Sequence, residues 1–307
     1  MLDKYEIIER LGQGSFGSVC KAIRKSDQKV VAIKEISYSQ MDNKKKQMLI
    51  NEVNALRNIQ NEHVVGYYDR IVVREKKLMY IVMEYCEKGD LQQLIRKTRA
   101  DNDRIPESAI WQVLTDMCIA LDSCHPKMIH RDIKPGNIFI SGNGHVKLGD
   151  FGLAREIEDG AASTYAGTPP YMSPELISHQ PYDEKSDIWA LGCVLFELAD
   201  LHLPFNGSNE VITQLIQTGP LRRIPAMYSD DLFEVIQSMM MKKPQERPTV
   251  KQLLENKYVK LYLQMEMILN ERARVQADTA RLIKKQEQLK EEYNRLNQKA
   301  GRVFFNE

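Results

Sequence analysis

The sequence predicts an α+β fold in two lobes, a small mainly β N-terminal lobe and a larger mainly α lobe, prolonged by a C-terminal helix. Three observations predict it. The first 83 residues carry β-branched segments divided by Gly-rich or Ser-Asp turns. From about residue 90 the pattern turns helical. From about residue 258 the chain changes character again. Its stretch "LYLQMEMILNERARVQADTARLIKKQEQLKEEYNRLNQ" has neither Gly nor Pro and is rich in Glu, Lys, Gln, Arg and Leu, one long helix on propensity alone.

In chain order, "YEIIERLG", "SVCKAIRK" and "KVVAIKEI" read as strands. A helix over about 42–59 follows, where Leu49, Val53, Leu56 and Ile59 recur at helical spacing. "VVGYYDRIVV" and "LMYIVMEY" are two more strands. Helices are then expected over 106–125, 185–200, 208–218, 229–241 and 249–256. The expected organisation is one domain over 1–257, with an N-lobe of about 1–83, a hinge of about 84–89 and a C-lobe of about 90–257. A C-terminal helix over 258–300, able to form a coiled coil, and a tail over 301–307 complete it.

Of the 307 residues, 43% are hydrophobic and 28% charged, the profile of an ordinary globular protein. Lys and Arg number 43 against 42 Asp and Glu, so no global field draws the chain to nucleic acid or an acidic membrane. Cys20, Cys86, Cys118, Cys124 and Cys193 show neither a C-x-x-C pair nor metal-ligand spacing, and read as reduced packing thiols. The N-terminus has no signal-peptide run, and Leu2 stands where myristoylation needs glycine. "DIWALGCVLFELA" is too short for a membrane span and carries acids, so it reads as a buried helix. A soluble, cytoplasmic protein is expected.

"LGQGSFGSVCKA" contains G-x-G-x-x-G at Gly12, Gly14 and Gly17, then Val19. Small residues let backbone amides approach phosphate oxygens, although a glycine-rich hairpin without ligand has the same look. A strand rather than a helix follows, which excludes a dinucleotide fingerprint. "VVAIKEI" places Lys34 on a strand, either snorkelling at an edge or paired. Glu52 sits mid-helix among otherwise apolar residues of its face, and an ion pair with Lys34 would explain both charges. "MIHRDIKPGNIFI" crowds Arg131, Asp132, Lys134 and Asn137 between Ile129 and Ile138, a surface turn on the bland reading. "VKLGDFGLA" adds Asp150 soon after. Asp150 and Asn137, brought together by two short strands, offer hard oxygen ligands suited to Mg²⁺.

The order of these motifs, ending in "MSPE", resembles that of the protein kinases. The likeness covers about residues 5–256, and "SDIWALG" and "RPT" fall where that family has them. Within it, "KQMLINEVNALRNI", "GYYDRI", "YIVMEYCEKGDL", "VKLGDFGLAR", "GTPPYMSPE" and "YDEKSDIWALGC" are similar to the NIMA-related kinases of mitosis, centrosomes and cilia. Gly149 before Asp150 is typical of that branch. Two positions depart from it. "NEHVV" stands where a His-Pro-Asn turn is usual, and Pro170 occupies a common tyrosine position, which bears on how the activation segment docks peptide.

The resemblance implies a bilobal kinase fold and an ATP- and Mg-dependent protein serine/threonine kinase, a cell-cycle or cytoskeleton regulator activated by phosphorylation. It also implies a site at the cytoskeleton, centrosome, basal body or nucleus. Asp132 would align the substrate hydroxyl, Lys134 would neutralise γ-phosphate charge, and Asn137 and Asp150 would hold Mg. Lys34, fixed by Glu52, would bind the α- and β-phosphates, and His130 would pack beneath the Asp150 turn. Leu11, Val19, Ala32 and Phe139 would wall the adenine, Met83 would be the gatekeeper, and backbone groups of Glu84 and Cys86 would read the base edge. Glu175 would pair with Arg247. Thr168 with Lys134 would shape the site for Ser or Thr, Thr164 with neighbouring Ser163 would be the activation phosphosite, and Tyr67 is an autoinhibitory candidate or a core aromatic. The partners implied are protein substrates and ATP, with no nucleic acid and no membrane.

The rival reading is a kinase-fold scaffold, a pseudokinase acting through binding. Leu261, Ile268, Val275, Leu282, Leu289 and Leu296 recur every seven residues, the period of a homodimeric coiled coil, though the helix could instead dock on the kinase lobe.

Overall fold

Alternating β-branched and polar residues build a five-stranded antiparallel sheet. Its strands are β1 (Tyr5–Gly14), β2 (Gly17–Arg24), β3 (Lys29–Ser37), β4 (Tyr67–Val73) and β5 (Leu78–Glu84), in spatial order β1-β2-β3-β5-β4. The structure is a computed structural model describing residues 2–14, 17–125, 128–149, 170–181 and 183–304, with the side chains of residues 13, 14, 48, 52 and 297–304 outside that description.

Side-chain alternation sorts the sheet into two faces. Val31 and Ile33 of β3 join Tyr5, Ala22, Ile71 and Val82 in one buried cluster. Ile36, on the opposite parity with Ala32 and Lys34, packs with Met79, Ile81, Leu49 and Val53 in another. Leu49 and Val53 come from α1 (Asn43–Arg57), whose first turn is capped by the Asp42 carboxylate accepting the Lys45 N–H at 2.8 Å.

The second lobe contains α2 (Leu91–Ala100), α3 (Glu107–Cys124), a 3-10 turn over Pro135–Asn137 and a short hairpin of β6 (Ile138–Ile140) and β7 (Val146–Leu148). After it come α4 (Pro174–Ile177), α5 (Glu184–Asp200), α6 (Asn209–Thr218), α7 (Asp230–Met239) and α8 (Val250–Leu254). Every residue of α5 from Ser186 to Ala199 is buried, which accounts for the apolar run from Ile188 to Phe196. The helix α2 was not among those expected. It buries only Leu91 and Ile95, and its plainest signal is Asp90, which caps the N–H of Gln93 at 2.8 Å.

The last helix, α9, runs from Lys257 to Phe304 and so passes residue 300 without a break. The chain divides into two compact units between Val259 and Lys260. The first turn of α9 is anchored in the second lobe: Val259 is fully buried, and the Tyr258 ring stacks on Trp111 at 4.7 Å. Among the described residues, no helix is long and apolar enough to cross a membrane.

Candidate active site

The register of the sheet sets the upper wall of a cleft. Lys34 pairs with Val19 on β2 and Ile81 on β5, and Ala32 pairs with Met83. Leu11, Val19, Ala32, Lys34, Met83 and Phe139 line a cavity of about 500 Å³, together with Gly12, Glu84 and Cys86. Gly14 and Gly17 pair with each other where β1 turns into β2. Gly17 has φ +149°, and a Cβ there would run into the carbonyl oxygen of Glu35, so only glycine lets the hairpin lie this close to β3.

At the hinge, the Glu84 N–H donates to Gly66 O at 2.7 Å, and the Glu84 carboxylate accepts Lys147 Nζ at 2.9 Å. Burial, helped by the Glu84 charge, pushes the Cys86 thiol up to about 11, so it stays protonated near neutral pH.

Below the cleft lies the loop Arg131–Asn137. Arg131 has φ +69°, an unfavourable conformation for a residue with a Cβ. The buried Asp187 carboxylate of α5 holds it there, accepting the N–H of His130 at 2.9 Å and of Arg131 at 3.0 Å. His125 Nε2 meets the same carboxylate at 3.1 Å. His130 uses both ring nitrogens: Nε2 donates to Gly149 O at 3.1 Å, and Nδ1 accepts the Asp132 N–H at 3.3 Å. That fixes its tautomer and makes it a brace for the strand end, not a base.

Asp132 Oδ2 accepts Lys134 Nζ at 2.7 Å and Asn137 Nδ2 at 2.8 Å, while the same amide nitrogen donates to Asp132 O at 2.7 Å. With Nδ2 so committed, Oδ1 of Asn137 is the atom able to ligate a cation. The Asn137 carbonyl accepts the Gly149 N–H at 2.9 Å. A Cβ on Gly149 would clash with Val65 Cγ2 at 2.7 Å and the Phe139 ring at 2.9 Å, so glycine lets this strand end lie against the cavity floor.

The loop touches two cavities. Gly136 lines the large one, whereas Asp132 and Lys134 line a smaller one of about 150 Å³ with Pro170, Tyr171 and Met172. Glu175 and Arg247 form a buried bidentate pair, with both contacts at 2.7 Å, joining α4 to the segment before α8. Burial raises the Glu175 pKa, but the hydrogen bonds from Arg247 and Ser186 outweigh it and hold the carboxyl below its usual range.

Asp150, Ser163, Thr164 and Thr168, and the side chain of Glu52, lie outside the described residues. Tyr67 pairs with Met83 in the sheet and packs against the cluster between sheet and α1. Sequence reasoning missed Val65, Asp90, Gln93 and Gly136 in the cavity wall, and the role of Asp187.

The two lobes, the lysine-bearing strand and the Asp132–Asn137 loop define a phosphotransferase fold. A model of the protein kinase domain matches residues 5–259, and the chain belongs to the protein kinase family. The chain is 44% identical over 263 residues to the serine/threonine-protein kinase Nek2 of Homo sapiens, covering 83% of this chain and 59% of that one. It is 44% identical over 264 residues to the probable serine/threonine-protein kinase nek2 of Dictyostelium discoideum, covering 84% and 63%. To the G2-specific protein kinase nimA of Emericella nidulans it is 36% identical over 302 residues, covering 89% and 43%. Within the family its sequence is similar to those of the Nek2 and nimA kinases. It spans about 60% of the length of the Nek2 relatives it matches. Kinases of this family use ATP and Mg²⁺.

Proposed function

We propose that the chain transfers the γ-phosphoryl group of ATP to Ser or Thr hydroxyls of protein substrates, and acts as a NIMA-related regulator of the cell cycle or cytoskeleton. One observation carries the reading. Asp132 Oδ2 is held by Lys134 and Asn137 on a loop bordering both a nucleotide-sized cleft and a second cavity where a peptide hydroxyl can enter. The cleft suits a purine: about 500 Å³ is within the range of ligand sites, and apolar side chains from both lobes face it.

Lys34 would bind α- and β-phosphate oxygens. With the Glu84 N–H engaged by Gly66, base reading at that residue falls to its carbonyl, and Cys86 contributes backbone groups beside it. Bound Mg²⁺ would supply charge neutralisation between the phosphates. Asn137 Oδ1 is one candidate ligand and Asp150 the other. Asp132 orients the attacking hydroxyl and takes its proton late, because phosphoryl transfer depends mainly on positioning and charge stabilisation. Lys134 sits 2.7 Å from Asp132, where it can offset charge on the transferring group.

Ser/Thr selectivity rests on Lys134 with Thr168, and activation on phosphorylation of Thr164, with Ser163 beside it. The packing of Tyr67 supports a core role for that aromatic. The exposed heptad row of α9 supports homodimerisation, and the family supports a cytoplasmic site at the cytoskeleton, centrosome, basal body or nucleus.

Radiolabel transfer from ATP by the wild type and not by Lys34→Met tests the reading. A wild type that binds ATP yet transfers no label to any peptide of a degenerate array, before or after phosphorylation by an activating kinase, would establish the scaffold alternative.

A further inference from the structure

We propose that His63, Asp116 and His145 form a binding site for a divalent transition-metal ion of the zinc class, bracing the joint between the two lobes. The three come from separate elements: the turn before β4, the middle of α3 and the turn between β6 and β7. One donor atom from each lies within 4.8 Å of the others. Asp116 Oδ1 is 3.1 Å from His145 Nδ1 and 3.5 Å from His63 Nδ1. A tetrahedral ion with Zn–N and Zn–O bonds of about 2.0–2.1 Å separates its ligands by about 3.3 Å. The observed spacings bracket that value. The two imidazoles stand at 70° to each other with centroids 5.5 Å apart, addressing the carboxylate from different directions.

His63 Nδ1 also lies 3.4 Å from Val146 O, so a bound cation would take the place of ring protons that now make hydrogen bonds. Asp116 is fully buried, and its Oδ2 is held by the Val146 N–H at 2.8 Å. Gln112 Nε2 lies 2.7 Å from Asp116 Oδ1 and 3.3 Å from His145 Nδ1, so one amide donor addresses both atoms. The 3.1 Å gap between Asp116 Oδ1 and His145 Nδ1 is one that either a ring proton or a cation can bridge. Gln112 and the Val146 amide are then the outer partners that orient ligands at metal sites.

Access comes from a cavity of about 270 Å³, lined by His63 and His145 with Glu62, Ser141 and Asn143. Two imidazoles and one carboxylate favour zinc-like ions over Mg²⁺ or Ca²⁺, which prefer oxygen alone.

The site couples the lobes because its ligands flank a backbone splice. Leu148 N donates to His63 O at 2.8 Å, and Val65 N donates to Leu148 O at 2.9 Å. The next residue, Gly149, bonds to both Asn137 and His130. An ion fixing His145 and His63 therefore stiffens the strand that ends at the candidate active site.

The test uses the full chain, stripped with chelator and kept in excess Mg²⁺, titrated with Co²⁺ while visible d–d absorption is followed, then with Zn²⁺ as competitor. One equivalent of Co²⁺ should bind with nitrogen/oxygen-type bands and be displaced by Zn²⁺, and Zn²⁺ should raise the melting temperature. His145→Gln, at a partly exposed position, should keep the fold and weaken binding by at least about tenfold, since even outer partners at metal sites are worth about 10–100-fold. Asp116→Asn, which still accepts the Val146 N–H, should do the same and guards against a folding artefact in the first variant. No saturable binding by the wild type, near-ultraviolet thiolate bands placing the ion on cysteines, or equal isotherms for wild type and both variants would each overturn the proposal. The readout is binding, so failure here leaves the kinase reading untouched.

Discussion

The buried carboxylate of Asp187 accepts the backbone N–H of Arg131 at 3.0 Å, across 56 residues of sequence, and fixes Arg131 at φ +69°. A non-glycine residue in that region stores about 1–3 kcal/mol of strain, so the loop needs an outside clamp. Asp187→Asn places an amide N–H against at least one of the donors that now converge on the carboxylate. We expect stability to fall by about 1–3 kcal/mol. Displacement of Asp132 should lower kcat by about 100-fold, with little change in KM for ATP. Denaturant unfolding and steady-state kinetics on the same preparation check both numbers.

That clamp marks the limit of what the sequence shows. Lys34, Asp132 and Asn137 were legible because each lies in a short motif whose spacing carries its chemistry. The strands were legible because side-chain alternation is local. Asp187 was visible inside "SDIWALG" but carried no role, since its partners lie 56 and 57 residues away. Val65 and Gln93 line the cavity through tertiary placement and have no local signature. Likewise His63, Asp116 and His145 converge from three elements, and no spacing rule joins them.

Asp132→Asn keeps the volume of the side chain and removes the charge that Lys134 and Asn137 now face. We expect a folded protein whose transfer rate falls by several powers of ten, on the order of 10³ or more, if the carboxylate stabilises the transition state. Asp150→Ala should do the same through the lost metal ligand. Activity of either purified variant within about tenfold of wild type would remove its assigned role.

The Glu175–Arg247 pair predicts an acid-side dependence of stability. The folded pKa of Glu175 lies below its ordinary 4.5, so the charged form is the one the fold stabilises. That contribution is present in full above the unfolded value and is lost as pH falls through the folded one. Glu175→Gln should therefore flatten the acid limb of the stability curve. At neutral pH it should also leave the buried Arg247 without its counter-charge, at a cost of about 3–5 kcal/mol. Urea unfolding of wild type and variant at several pH values from neutral down through 4 measures both effects. An unchanged acid limb would show that the pair does not control it.

Activation should depend on Thr164. A phosphate there adds about −1.5 to −2 charge and would pair with Arg131, adjacent to Asp132. We expect Thr164→Ala to hold activity near that of the dephosphorylated wild type, and phosphorylation to raise the activity of the wild type alone. Equal, full activity of both proteins after phosphatase treatment would show that the segment needs no phosphate.

Self-association should reside in α9. Its 48 residues make a helix about 72 Å long, far beyond what isolated propensity requires, and Ile268 and Leu282 of its heptad row are each 67% exposed. With Leu261, Ile268, Val275, Leu282, Leu289 and Leu296 as d, the a positions are Met265, Arg272, Thr279, Gln286 and Tyr293. Only the outer two of these a residues are apolar or aromatic, so the seam is weak at its centre and a modest dimer is expected. Pairing would raise the effective concentration of one kinase unit for another and favour phosphorylation of Thr164 between protomers. Sedimentation of the wild type at micromolar concentration should show a monomer–dimer equilibrium, and the Leu282→Pro/Leu289→Pro variant should sediment as monomer, because proline breaks the helix at the middle of the row. Activation by autophosphorylation should then change from nearly first order in the paired wild type to slower, second-order kinetics in the variant. A wild type that stays monomeric across that range removes the pairing, and the exposed row must then meet a different partner or the kinase lobe itself.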